Sequence, residues 1–85
     1  MATYTYELET TVQFEDANGE MARYEIYYDD TNLEYHAEVY HLSDVSSVNG
    51  RTIKVWHKIP NTISRLSGSS KKGRVSSCKF HFEGK

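Results

Sequence analysis

The segment IKVWHKI has Lys54, Trp56 and Lys58 at alternate positions, so that one aromatic residue lies between two basic residues. Alternate side chains of an extended strand point to the same face, so these three would form one surface. An exposed tryptophan can stack on an unpaired base of a nucleic acid while flanking cations contact the phosphates. The pattern is therefore typical of single-strand nucleic-acid binding.

Further bases lie toward the C-terminal end of the chain, in the loop SSKKGR and in the segment after it. Bases in such a loop neutralise phosphates and add affinity without sequence preference. Lys79 would join the same surface if the last strand lies beside IKVWHKI. The candidate nucleic-acid-binding residues are Lys54, Trp56, Lys58, Lys71, Lys72, Arg74 and Lys79.

The charges of the chain are strongly separated along the sequence. Residues 1–45 carry eleven acids and one base, whereas residues 46–85 carry nine bases and one acid, and the net charge is −2. Such asymmetry often marks binding to charged partners, although the two halves could instead neutralise each other within one sheet. Acids interleaved with tyrosines suit a basic groove on another protein, where charge raises association rate and selectivity. The candidate protein-binding residues are Glu7, Glu9, Glu25, Tyr27, Glu34, Glu38 and Tyr40.

Residues that could bind a metal or carry out catalysis are few. The predicted strand register sets His41 opposite His57, but two histidines without a third ligand make a weak site. Cys78 and His81 would point to opposite faces of a strand. The sequence has no glycine-rich phosphate loop, nucleophile elbow or zinc-type cysteine pair. We therefore expect a non-catalytic protein without a metal or cofactor.

Length and cysteine content indicate a small intracellular domain. A chain of 85 residues supports one domain, residues 1–85, with one core. The single cysteine, Cys78, excludes an internal disulfide and favours a reducing compartment, so we expect a cytoplasmic protein. Its alternation with Phe80 and Phe82 indicates a buried apolar residue. We see no signal-peptide pattern in MATYTYELETT, and no apolar run is long enough to span a membrane.

Two alternating segments predict the first hairpin. Apolar and polar side chains alternate over residues 4–15 and again over residues 22–29. A two-residue turn between them would place charge on the apolar face. A three-residue loop with Gly19 in the left-handed conformation keeps the apolar residues together. That loop predicts three facing pairs, Phe14 with Ala22, Val12 with Tyr24 and Leu8 with Tyr28.

The segment SVNGRT predicts a second hairpin by the same argument, with Gly50 in the left-handed conformation. The predicted pairs are Val45 with Ile53, His41 with His57 and Val39 with Ile59 on one face, and Asp44 with Lys54, Leu42 with Trp56 and Tyr40 with Lys58 on the other. The preceding segment NLEYHAEVYHL is ambiguous, because Thr31 and Glu34 fit a helix capping box while the aromatic and β-branched residues favour a strand. We favour the strand; the alternative is an α+β fold of ββαββ order with a helix near residues 31–43.

The remaining chain predicts a short helical turn or loop and then one more strand. In PNTISRLSG, Asn61 is the candidate helix cap and Gly68 the stop. Residues 74–83 alternate, with Cys78, Phe80 and Phe82 on one face. The predicted fold is β-dominated, with about five antiparallel strands in a meander or small barrel and at most one or two short helices.

These patterns favour a small binding or regulatory protein that occupies a charged, basic surface of a larger protein. It would act as an inhibitor or accessory factor, of the kind that viruses and phages often encode. Exposed edge strands would also allow pairing with a second copy as a homodimer. The alternative hypothesis is a single-strand nucleic-acid-binding module that uses the Trp56 surface. Co-purification without added salt would separate the two, by recovering either a large protein or bound nucleic acid.

Overall fold

The alternating segments form an antiparallel sheet in the computed structural model, which describes residues 5–46, 49–60 and 63–84. The elements are β1 (Tyr6–Glu15), β2 (Met21–Asp29), β3 (Glu34–Ser46), β4 (Thr52–Lys58) and α1 (Lys71–Glu83). The four strands pair in the order β1-β2-β3-β4, so the sheet is a simple meander. The predicted β-dominated class is confirmed. The ββαββ alternative is wrong, because residues 34–43 belong to β3.

The first hairpin has the bulged turn that the apolar pattern predicts. Phe14 faces Ala22, and Val12 faces Tyr24. Gly19 has a φ of +81°, which an L side chain rarely adopts. The Asp16 side chain completes the turn by accepting the backbone N–H groups of residues 18 and 20. The turn therefore sets the register that places the apolar residues of the two strands opposite each other.

The second hairpin also has its predicted register. The pairs Val45–Ile53, His41–His57, Asp44–Lys54, Leu42–Trp56 and Tyr40–Lys58 all form. Gly50 has a φ of +75°. The Ile59 backbone N–H donates to the carbonyl of Val39 at 2.8 Å, just beyond the end of β4. Both predictions of left-handed glycines are confirmed.

A β-bulge at Glu9 overturns the predicted phase at the start of β1. The register shifts between Leu8 and Thr10, so Leu8 faces Tyr27 rather than Tyr28. The extra residue rotates the preceding side chains onto the other face of the sheet. Tyr6 and Leu8 consequently stay about half exposed, at 54% and 53%, instead of joining the core.

The chain after β4 continues along the edge of β3 rather than forming a helical turn. Ile63 makes a β-bridge with Ala37, and the Leu66 N–H donates to the carbonyl of Tyr35 at 2.7 Å. The predicted cap residue, Asn61, lies outside the described residues. Leu66 is buried, so this segment carries the chain to the side of the sheet where α1 lies.

The predicted fifth strand over residues 74–83 is wrong, because this segment lies in α1. Ser70 caps the helix by accepting the Gly73 N–H at 3.1 Å. The residues that face the sheet are four apart, Arg74, Cys78 and Phe82, which is a helical spacing. Phe80 points outward and is 77% exposed. The strand pattern therefore wrongly placed Phe80, which points outward, on the same face as the buried residues.

The core lies between one face of the sheet and α1. Its buried apolar residues come from β2, β3, the segment after β4 and the helix: Ala22, Tyr24, Ile26, Ala37, Val39, Leu66, Cys78 and Phe82. The ring of Phe14 stacks on Phe82 with centroids 5.6 Å apart. A hydrogen bond of 2.7 Å joins the Tyr24 hydroxyl to Nδ1 of His81. Burial raises the pKa of Tyr24 to about 12.

An ion pair ties the first half of α1 to the bulge of β1. Arg74 is only 6% exposed, and its Nε donates to Glu9 at 2.8 Å while its Nη2 donates to the second carboxylate oxygen. Its guanidinium also lies 3.7 Å from the centroid of the Tyr35 ring. The bulge thus turns Glu9 under the helix, where it meets the one buried base of α1.

Among the described residues, no helix has the length and apolar character needed to cross a membrane.

Candidate protein-binding face

One side of the sheet faces away from α1, and no described element covers it. We call this side the open face. Its position follows from strand alternation, since the neighbours of the buried residues in β2 and β3 point to the opposite side. Its central side chains are aromatic, charged or apolar: Tyr6, Leu8, Arg23, Glu25, Tyr27, His36, Glu38, Tyr40, Leu42, Trp56 and Lys58.

Two tyrosine–glutamate pairs order the middle of the open face. The Tyr27 hydroxyl donates to Glu25 at 3.0 Å, and the Tyr40 hydroxyl donates to Glu38 at 3.4 Å. Desolvation and the hydrogen bond to Glu25 raise the pKa of Tyr27 to about 12. The pKa of Tyr40 is also raised, first by desolvation and then by the charges of Glu25 and Glu38. The rings and carboxylates therefore shield one another from water, although no layer from the described part of the chain lies over them.

Arg23 lies beside two aromatic rings of the same face. Its guanidinium carbon is 4.9 Å from the centroid of Tyr40 and 4.9 Å from that of Trp56. Its Nε lies 3.8 Å from Glu25, and this buried nitrogen has no hydrogen-bond partner among the described residues. Cation–π contact therefore holds the only base of residues 1–45 against the rings.

A shallow cleft of about 530 Å³ opens at the end of the open face near the β2–β3 turn. His36 stacks on Tyr27, with centroids 5.3 Å apart, and meets the edge of Tyr6 at the same distance. The carboxylates of Asp29, Glu34 and Glu38 also line the cleft, together with Asn32 and Ser64. Aromatic rings beside carboxylates are a suitable environment for an ammonium or guanidinium group.

The structure divides the predicted acidic surface between the two sides of the sheet. Glu25, Tyr27, Glu34, Glu38 and Tyr40 share the open face, as the strand pattern predicts. Two further members of the predicted surface lie on the helix side instead. The residue at position 7 faces Tyr28, and the residue at position 9 is bound to α1. Glu7 and Glu9 are therefore excluded from the candidate face, because the bulge reverses their orientation.

The predicted nucleic-acid-binding residues are divided in the same way. Lys54, Trp56 and Lys58 project from β4 onto the open face. The remaining members belong to α1, on the opposite side of the sheet: Lys71, Lys72, Arg74 and Lys79. The expectation that Lys79 lies beside Trp56 is wrong, because it required a fifth strand.

Within the described ranges, ion pairs join the acidic and basic halves of the chain at three places. They link Lys58 to Glu38, Arg65 to Glu34 and Arg74 to Glu9. The Lys58 pair has an N···O distance of 2.9 Å, and hydrogen bonding to the carboxylate raises the pKa of Lys58. Part of the charge asymmetry is therefore neutralised within the fold.

A second cleft, of about 560 Å³, lies between the β1–β2 turn and the C-terminal end of α1. Its lining includes four acids, Glu15, Asp16, Glu20 and Glu83, together with His41 and Phe82. Sequence reasoning missed this cluster, because Glu83 joins it only through the helix.

The arrangement offers little for catalysis among the residues that the structure describes. No group of three or more histidines, cysteines and carboxylates there is placed to hold a metal ion. A hydrogen bond of 2.6 Å joins Ser43 Oγ to Nε2 of His57. A nucleophilic serine needs a histidine that a third group orients, and no described carboxylate hydrogen-bonds to this ring.

No protein-family model, curated protein or solved structure matches this chain.

Proposed function

We propose that the protein is a non-catalytic binding protein that occupies a basic surface of a larger protein through its open face. The observation that carries this proposal is an uncovered sheet surface composed of tyrosine, tryptophan, arginine and carboxylate side chains. Tyrosine, tryptophan and arginine are the residues most enriched in the energetic centres of protein interfaces.

The order of these side chains before binding also supports the proposal. The side chains of Arg23 and Glu25 are only 26% and 19% exposed, although no described element covers them. Side chains already held by their neighbours lose less entropy when a partner binds. An open face built in this way favours binding over simple solvation.

The charge of the cleft near Tyr27 supports a basic partner. Glu34 and Glu38 pair with Arg65 and Lys58, both of which are at least half exposed. A lysine or arginine of the partner could take over such a carboxylate and contact the Tyr27 ring. Charge of this kind adds selectivity and association rate.

The alternative of single-strand nucleic-acid binding has less support. Arg23 already lies against the Trp56 ring, and the carboxylates of Glu25 and Glu38 share that face. The basic residues of SSKKGR, which were expected to contact phosphates, belong to α1 on the opposite side of the sheet. A nucleic-acid strand lying on Trp56 would therefore meet acids and reach few bases.

The test is co-purification without added salt, followed by direct binding measurements with the recovered partner. We expect a protein partner with a basic contact surface and little bound nucleic acid by absorbance ratio. Tyr27→Ala should weaken its binding by about tenfold or more, as for a central interface aromatic residue. Phe80→Ala is the matched control, because it removes an exposed ring from the opposite side.

Two outcomes would contradict the proposal. One is an equal loss of affinity in Tyr27→Ala and Phe80→Ala. The other is tight binding of a labelled single strand at about 0.15 M salt that Trp56→Ala abolishes while the fold stays intact.

A further inference from the structure

Both edges of the sheet are free within the described part of the chain. β1 pairs only with β2, and β4 pairs only with β3. The Asp16 N–H donates to the Glu20 carbonyl at 3.0 Å, which makes these two residues a hydrogen-bonded pair. Because bonded and non-bonded pairs alternate along an antiparallel ladder, the backbone groups of Gln13 and Glu15 point outward. An outer strand could therefore bond to them.

Beyond the bulge at Glu9, the β1 edge lacks the features that usually prevent strand pairing. Its central segment, TTVQF, is uncharged and contains no proline or lysine. Glu7 and Glu15 give the two ends of the strand a negative charge. Tyr6 and Leu8 are about half exposed on its open-face side. This edge is therefore acidic and partly apolar, and its pairing is regular from Thr10 to Glu15.

The β4 edge has the opposite charge and a similar apolar content. Lys54 and Lys58 project from it, and Arg51 precedes it. Ile53 and Val55 are 50% and 38% exposed, because α1 does not extend over this strand. A lysine in an edge strand opposes pairing with an identical strand but matches an acidic one.

We infer that the protein self-associates by pairing β1 of one copy with β4 of a second copy. In a four-stranded meander, β1 and β4 run in opposite directions. A translated copy therefore continues the sheet with antiparallel pairing and keeps every α1 on the same side. The other two edge combinations would place like charges together.

One register satisfies both the charges and the faces. With Lys54 opposite Glu15, these two side chains meet on the open-face side. Val55 then lies opposite Phe14 on the helix side. Opposite charges and apolar residues directly across a strand pair each stabilise it.

The expected association is weak and does not end at a dimer. One strand pair buries little surface, so the affinity is low and the protein is monomeric except at high concentration. A contact between two different edges leaves one free edge at each end and can propagate. Higher salt should reduce association, because the charges that select it are exposed.

Charge reversal at the two edges tests this inference by sedimentation equilibrium over a wide protein concentration range at low salt. The unmodified protein should show concentration-dependent mass. Glu15→Lys and Lys54→Glu should each weaken association by about tenfold. The double variant restores an opposite-charge pair and should recover it. An equimolar mixture of the two single variants should recover it as well.

Matched controls on α1 carry the same charge changes away from the edges. Glu83→Lys and Lys79→Glu should change association by less than about twofold, and far-UV circular dichroism should show that all variants are folded. A monomer at every concentration would overturn the inference. So would a double variant that associates as weakly as the single variants, because that result excludes contact between the two edges.

Discussion

The ion pair between Arg74 and Glu9 provides a direct test of how α1 is held on the sheet. Arg74→Met keeps an unbranched apolar side chain but removes the guanidinium. The Glu9 carboxylate, whose side chain is 19% exposed, would then lose its partner. The carbonyl of Gly68 would also lose a donor at 3.2 Å.

We expect a loss of about 3 kcal/mol in the free energy of unfolding. Breaking a buried pair by removing one partner costs about 3–5 kcal/mol, and the partial exposure of Glu9 favours the lower end. A domain of this size has a total stability of about 4–13 kcal/mol. With a urea m value of about 1.5 kcal/mol/M, the urea midpoint should fall by about 2 M.

Glu9→Gln is the complementary change, because it keeps the shape of the side chain and removes its charge. A double-mutant cycle with Arg74→Met isolates the coupling between the two residues. Urea unfolding, followed by Trp56 fluorescence and by far-UV circular dichroism, gives the four free energies. A loss below about 1 kcal/mol for Arg74→Met, or a coupling free energy near zero, would refute our account of how α1 is held.

The same pair predicts a pH dependence of stability. Hydrogen bonding to Arg74 lowers the pKa of Glu9 from its usual value of 4.5 in the folded state. The unfolded chain then binds the proton more tightly, so this contribution is complete above about pH 4.5 and disappears as pH falls through the folded value. In Arg74→Met, this part of the acid slope should be absent from free energies of unfolding measured between about pH 6 and pH 3.

Three further predictions concern α1 and the turns. Gly68→Ala should lower the free energy of unfolding by about 2 kcal/mol or more, since its Cβ would lie 2.7 Å from a backbone nitrogen of α1. Gly19→Ala has open space around its Cβ and should cost only about 1 kcal/mol. Equal losses of the two variants in urea unfolding would contradict this difference. Ser70→Ala should cost about 1 kcal/mol and Ser70→Gly only a few tenths, and a neutral Ser70→Ala would show that the cap does not contribute. Burial raises the pKa of Cys78 to about 11, so an aromatic disulfide reagent at about pH 8 should modify this thiol only after unfolding; rapid modification of the native protein would contradict its burial.

The hairpins were predictable because apolar pattern and turn chemistry agree in them. Only one register in each hairpin keeps the apolar residues on one face, and each register requires a left-handed glycine at a position that has one. β3 was harder to predict, because Thr31 and Glu34 resemble a helix start. The pairing of β3 with strands on both sides decides it.

The helix was not predictable from its own sequence. Its buried positions are four apart, but one of them is Arg74, so the apolar spacing is interrupted. Lys71 and Lys72 lie in the first turn, where the helix dipole disfavours positive charge. The contacts that fix α1 come from β1, in Glu9 with Arg74 and Phe14 with Phe82, and from β2, in Tyr24 with His81. Tertiary contacts therefore override a weak local preference.

The candidate face was predicted only in part. Glu25, Tyr27, Glu38 and Tyr40 alternate in strands with a clear period, so their common side was correctly predicted. The bulge at Glu9 leaves no signal in the sequence, because no glycine or proline marks it. The bulged residue, Glu9, is paired with Arg74, on a helix that the strand pattern did not predict.

The tie between β1 and α1 has a consequence for the order of folding. Glu9 and Arg74 are 65 positions apart in the chain, whereas each hairpin closes a loop of only a few residues. Short loops close at a lower entropy cost, so the sheet should form before the helix docks. During synthesis, the apolar side of the sheet stays exposed to solvent for about a few seconds, until the ribosome has made α1. A nascent chain at that stage exposes the kind of apolar surface that chaperones bind, and α1 ends this exposure when it docks.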